Sequence, residues 1–208
     1  MEFSPYTLEA ADQARTSLFG GLEQTWNSTN GATETTMPRM SVTLDPFQVG
    51  TIEYCLIRAK RNDVYDSITA IFGKMDTTAA FALAAFTVDR SVAGGRLKLA
   101  GKTKNLVDKA TRTPTEIREH IGNQIEVKTG EYYCLASLLL NYNTVGDYPI
   151  VGMGNVSGKL PASVDSDFPF MYGFRNTDTW DFPDSVDMST LATSTKAPWL
   201  AFSKMPKG

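Results

Sequence analysis

The clearest hydrophobic pattern lies in Gln124 to Leu140, QIEVKTGEYYCLASLLL. Ile125 and Val127 alternate with polar neighbours, Thr129-Gly130 supplies turn chemistry, and an almost unbroken apolar run starts at Tyr132. This order predicts strand, turn, strand. Within the run, Tyr133, Leu135 and Leu139 point one way, while Tyr132, Cys134, Ala136, Leu138 and Leu140 point the other, so neither face is made for water. Such a strand needs cover on both sides. A sandwich core covers one face, and a neighbouring subunit is the simplest cover for the other.

The rest of the chain from Ser41 reads similarly. β-patterned pieces at Ser41 to Leu44, Thr51 to Arg58, Ser67 to Met75, Ala80 to Asp89 and Arg96 to Ala100 are separated by turn residues. Short strands at such intervals predict an all-β, jelly-roll-like antiparallel sandwich. One short inserted helix is expected over Thr113 to Gly122: Thr113 is an N-cap, Pro114 and Glu116 suit the first turn, Ile117 and Ile121 lie four apart, and Gly122 is a stop. Beyond Asn141, recurrent prolines predict long loops. Within them, Phe168, Phe170, Tyr172 and Phe174 alternate as one aromatic face of a strand. Lys196 to Met205 is a closing strand that returns into the sandwich.

The leading segment has a different character. Leu8, Ala11 and Leu18 recur at helical spacing from Thr7 to Phe19, before Gly20-Gly21, and Glu23 to Pro38 is rich in Thr, Asn and Gly with few core-forming side chains. Residues 1–38 are therefore expected to be a helix and an extended attachment arm, and residues 39–208 the sandwich domain. Leu8, Leu18, Phe19 and Trp26 are the side chains expected to make the attachment.

Charge narrows the partners. A formal charge of -3, from 20 basic and 23 acidic residues spread along the chain, lacks the basic footprint that neutralises phosphates, so nucleic acid is not expected. No apolar segment approaches the roughly 20 residues of a bilayer span, and the N-terminus has no cationic and then hydrophobic signal, so a soluble chain made in the cytoplasm is expected. Cys55 and Cys134 fall inside predicted strands and are expected to be buried free thiols, a disulfide between them requiring adjacent strands with suitable Cβ geometry.

The motifs for catalysis are incomplete. Gly101-Lys102-Thr103 matches the end of a phosphate-binding loop, but the opening glycine would fall on Arg96, and a hairpin with Leu97 and Leu99 facing the core explains the segment better. The Gly152-Met-Gly154 run to Gly158 has the wrong last interval for a dinucleotide fingerprint. His120 is the only histidine, which excludes multi-histidine metal centres, and it has a structural explanation at the end of the expected helix. Asp165, Asp167, Asp178, Asp181, Asp184 and Asp187 could offer calcium oxygens or two acids for glycoside hydrolysis, but fit no EF-hand and read as a solvated loop. No cofactor is expected. Phe174, Trp180, Asp181 and Phe182 could form a partner or ligand surface, including a platform for sugar rings.

Four segments together resemble a known group: the strand entry MPRMSVTLDPFQVGTIEYCLIRAKR, the pair around IFGKMDTTAAFALAAFTVD, the Thr129 to Ser137 segment, and the closing APWLAFSKM. Their order and spacing resemble the jelly-roll domains of minor tail and fibre proteins of tailed bacteriophages, over about two-thirds of the chain from near Met37. The resemblance implies a non-enzymatic virion protein, commonly a homotrimer, bound to other virion proteins at the tail tip or on another exposed part of the particle, with no catalytic residues to carry over. A capsid decoration protein is the sibling expectation. A module that reads a host-surface glycan through residues 165–187 is the alternative from a different class.

Overall fold

A computed structural model describes residues 33–36, 43–46, 49–73, 78–109, 115–141, 150–155 and 172–205. They form two seven-stranded antiparallel sheets packed as an all-β sandwich. The expected helix at Thr7 to Phe19, and with it Leu8, Leu18, Phe19 and Trp26, lies outside the described residues.

One sheet is built on β4 (Asp63–Phe72). On its two sides lie β7 (Thr115–Val127) and β14 (Leu200–Ser203), and β1 (Thr33–Thr35) edges β14. At the end of β4, Phe72 meets Val151 of β9 (Ile150–Asn155), which pairs with β2 (Thr43–Pro46) and β13 (Lys196–Pro198). The single closing strand expected over Lys196 to Met205 is split at Trp199: Lys196–Pro198 pairs with β9 at the end of the sheet, and Leu200–Ser203 returns to the interior between β4 and β1. The second sheet has β8 (Tyr132–Asn141) at its centre, between β5 (Thr78–Asp89) and β3 (Thr51–Arg58). It continues outward through β6 (Arg96–Lys102) and β11 (Ser185–Asp187) on one side, and through β10 (Tyr172–Asn176) and β12 (Ala192–Thr193) on the other.

The helix expected over Thr113 to Gly122 is replaced by strand β7. Ile117, Ile121, Ile125 and Val127 are its buried positions, all odd-numbered, so spacing by four along a helix was equally spacing by two strand repeats. The ladder with β4 decided between them. It skips from Tyr65↔Ile125 to Ser67↔His120, and the extra residues of this bulge include Gly122 at φ +83, a left-handed conformation that suits glycine. The glycine read as a helix stop is the corner of a bulge. His120 accordingly lies on a strand, not at a helix end.

Three apolar clusters fill the sandwich. Between the sheets, Tyr133, Leu135 and Leu139 of β8 meet Tyr65, Ile68 and Phe72 of β4 and Phe202 of β14, with Phe72 and Phe81 in an edge-to-face contact at 4.2 Å. A smaller cluster joins Cys55, Tyr172 and Trp199. The opposite face of β8, with Cys134, Ala136, Leu138 and Leu140, is covered by Phe182, Val186, Met188 and Leu191 of the same chain. Both faces of β8 are buried, as the sequence pattern demands, but the second cover is intramolecular, so burial of this face requires no neighbouring subunit.

The segment read as an arm gives its last described residues to the first sheet. Thr36 N–H donates to the Leu200 carbonyl at 3.0 Å, and its hydroxyl donates to the Pro198 carbonyl and accepts from Leu200 N–H, both at 3.0 Å. Tyr172 OH donates to the Thr36 carbonyl at 2.9 Å, and Glu34, buried beside it in sequence, accepts from Lys60 N–H at 2.9 Å.

Candidate functional site

A groove of about 840 Å³ opens where the end of β6, the turn after it, β7 and residues 180–182 converge. Its first wall begins with Gly101-Lys102-Thr103, and each residue has a structural task. A Cβ at Gly101 would stand 2.7 Å from the Ile121 carbonyl oxygen, so glycine lets β6 and β7 approach closely. Thr103 N–H donates to the Leu83 carbonyl at 2.8 Å, while its hydroxyl accepts from Leu83 N–H at 3.0 Å. Asn105 continues this edge with its side chain, accepting from Phe81 N–H at 3.1 Å and donating to the Ala79 carbonyl at 3.2 Å. The chain then turns through a 3-10 segment at Val107–Lys109, and Lys109 pairs with Glu119 on β7. The motif that mimicked a phosphate loop therefore fixes the groove wall.

The facing rim is held from inside. Phe182 is buried edge-to-face against Phe86, with ring centroids 6.2 Å apart. Its N–H donates to the Asp181 carboxylate at 2.8 Å, and Lys102 Nζ donates to both oxygens of that carboxylate at 2.5 Å. The lysine holds the Asp181 carboxyl below the usual carboxylate range. A carboxylate fixed in the ionised form is poorly suited to act as a general acid. Two neighbours on opposite sides of Trp180 are thus tied down, Asp181 to Lys102 and Thr179 through its N–H to the Thr177 hydroxyl at 3.2 Å. Trp180 itself is 59 % exposed, the only large hydrophobic side chain so exposed among the described residues.

His120 lines the groove from β7 with its Nδ1 3.1 Å from the Asp66 carbonyl oxygen. A carbonyl only accepts, so this bond places the proton on Nδ1 and leaves Nε2 of the neutral ring as an acceptor. Of the four residues expected to share one surface, three line the groove together and Phe174 does not. Trp180 and Asp181 form the exposed rim, Phe182 is its buried anchor, and Phe174 sits half-buried on β10, outside the groove. Lys102, Lys104, Asn105, Lys109, Glu119 and His120 were not read as a site, because β6, the turn and β7 meet only through the register of two sheets. Among the acidic residues of the late loops, Asp187 is engaged by Arg96 at 2.6 Å, as Asp181 is by Lys102. Among the described residues, no three metal-ligating side chains converge.

Three further buried groups, Glu53, Cys55 and Cys134, lie elsewhere. Glu53 on β3 is 5 % exposed, opposite Ser137 of β8 and Phe174 of β10. Burial pushes its carboxyl up to about 8, against the opposing effect of a hydrogen bond with Ser194, so the group is largely protonated at neutral pH. Cys55 pairs across the ladder with Leu135 and Cys134 with Leu56, which sends the two thiols to opposite faces of one sheet. They are free and buried, and burial pushes both thiols up. No family model and no curated protein sequence matches this chain.

Proposed function

We propose that the chain is a non-enzymatic structural protein of a bacteriophage particle, a minor tail subunit attached through the residues that precede Thr33. The observation that carries this reading is the seating of residues 33–36. Ladder pairs to β14 and four further bonds at Thr36 tie the leading segment into the sandwich, so a load applied to that segment passes into a two-layer body rather than into a loop. The resemblance to tail and fibre jelly rolls adds the setting, in which copies of the chain form a trimer alongside other virion proteins. Location on the head as a decoration protein is the sibling reading.

The test is made on particles. Mass spectrometry of purified virions and antibody labelling on grids should find the chain at the tail. A full-length variant with Leu8, Leu18, Phe19 and Trp26 all changed to Ala should fold, with an unchanged far-ultraviolet spectrum, yet fail to join particles. Normal incorporation of that variant counts against the attachment role, and labelling confined to heads selects the decoration reading. A second reading, a module that binds a host-surface glycan, is favoured by one observation: the exposed Trp180 beside a groove that mixes apolar surface with lysine, asparagine and histidine side chains.

A further inference from the structure

Resting on that second reading, we propose that the groove beside Trp180 binds a saccharide that carries a carboxylate, of the uronic- or sialic-acid class, with the Lys104 side chain reading the acid. An exposed indole offers a flat apolar face with a polar edge, and a pyranose ring presents a matching face of C–H groups. The cost of ordering such a platform on binding is already small here, because the Phe182 anchor and the Asp181–Lys102 pair hold the rim in place. The groove volume of about 840 Å³ falls within the range of small-ligand sites.

Charge selects among saccharides. Three lysines line the groove, at 102, 104 and 109, against two carboxylates, Asp181 and Glu119, which leaves one positive charge locally in a chain whose formal total is -3. Lys102 and Lys109 are engaged by those two carboxylates, whereas Lys104 is exposed on the wall between them. A single acidic group on a ligand therefore meets a cation without displacing an existing pair. A polyanion gains little from one surplus charge and is repelled by the acidic remainder, which argues against nucleic acid. Nε2 of His120, left as an acceptor by the bond of Nδ1 to Asp66, takes a sugar hydroxyl.

Calorimetric titration of the full-length chain tests this with four probes: sialyllactose and a glucuronate-containing tetrasaccharide, lactose, and the methyl ester of that tetrasaccharide. The expected result is that at least one acidic probe binds more tightly than its neutral counterpart. Lys104→Ala should then weaken the acidic probe by about tenfold, the worth of one charge-assisted hydrogen bond, and leave the neutral one unchanged. Trp180→Ala should weaken both, and Trp180→Phe should restore part of the loss. Equal binding of acidic and neutral probes, or indifference to Lys104→Ala, overturns the inference, as does absence of binding to all four. Particle incorporation is scored separately: a chain found in virions that binds no saccharide sinks the groove and leaves the structural role, and the reverse result sinks the structural role alone.

Discussion

The two faces of β8 carry nearly equal apolar content and are covered in different ways. Tyr133, Leu135 and Leu139 face the sheet built on β4, whose strands are held by long ladders, β4 with β7 above all. Cys134, Ala136, Leu138 and Leu140 face a strap, residues 182–191, that is joined to the sheet by three ladder pairs to β6, two further backbone bonds and the Arg96–Asp187 pair. The backbone bonds are Leu99 N–H to the Asp184 carbonyl at 2.8 Å and Met188 N–H to the Gly95 carbonyl at 3.0 Å. The contrast teaches that burial and anchorage are separate quantities: both faces are dry, but the strap has far fewer bonds to break before it opens.

Truncation on each face should break the symmetry of burial most directly. Phe81→Ala, between the sheets, should cost about 3–5 kcal/mol, because Phe72 and the facing sheet cannot collapse into the space. Urea unfolding measures it, and a loss below about 1 kcal/mol would mean that the inter-sheet layer is plastic. Phe182→Ala should cost less, roughly 2–3 kcal/mol, near or just below the lower end for such truncations, since it sits at the edge of the strap cluster. Its more telling signature is local: hydrogen exchange at residues 182–191 should accelerate while β4 and β5 stay protected. Uniform acceleration across both sheets would show that strap and sandwich open as one unit.

The inner face also holds the carboxyl of Glu53. Its ordinary value is 4.5 and its folded value about 8, so between these limits the native chain keeps a proton that the unfolded chain releases. Stability therefore falls as pH rises through this window, by up to about 1.4 kcal/mol per unit, and is level below and above it. Glu53→Gln should match the parent near the lower limit and exceed it near the upper one. Parallel slopes for the two proteins would place an ionised, hydrated carboxylate at this position. The smallest effect belongs to the rim of the groove: Lys102→Ala should cost under about 1 kcal/mol, because the pair with Asp181 is largely exposed. A larger loss would give the ion pair a part in holding the strap.

Several elements were legible from residue order alone. β3 matches its expected bounds, Thr51–Arg58, and the strand, turn and strand from Gln124 to Leu140 are present with Gly130 at φ +84 in the turn. β4 begins four residues before the expected Ser67, where Asp63 caps Val64 N–H at 2.8 Å. The groove was legible only in part. Residue order presents Trp180 and Asp181 as an aromatic beside an acid, whereas it presents Lys102 only within a phosphate-loop motif that the fold does not form.

What residue order determined by itself is local: where apolar positions repeat every second residue, where glycine must take a positive φ, and that β8 cannot leave either face in water. Such facts follow from one strand and its nearest neighbours along the chain. The partners were decided in three dimensions. Ile117 and Ile121 suit a helix or a strand until β4 offers its ladder, the outer face of β8 accepts any apolar cover until residues 182–191 arrive, and Lys104, His120 and Trp180 share a groove only because two sheets cross where they do. Patterning states that surface must be buried, and says nothing of which surface will bury it, because the hydrophobic effect has no direction.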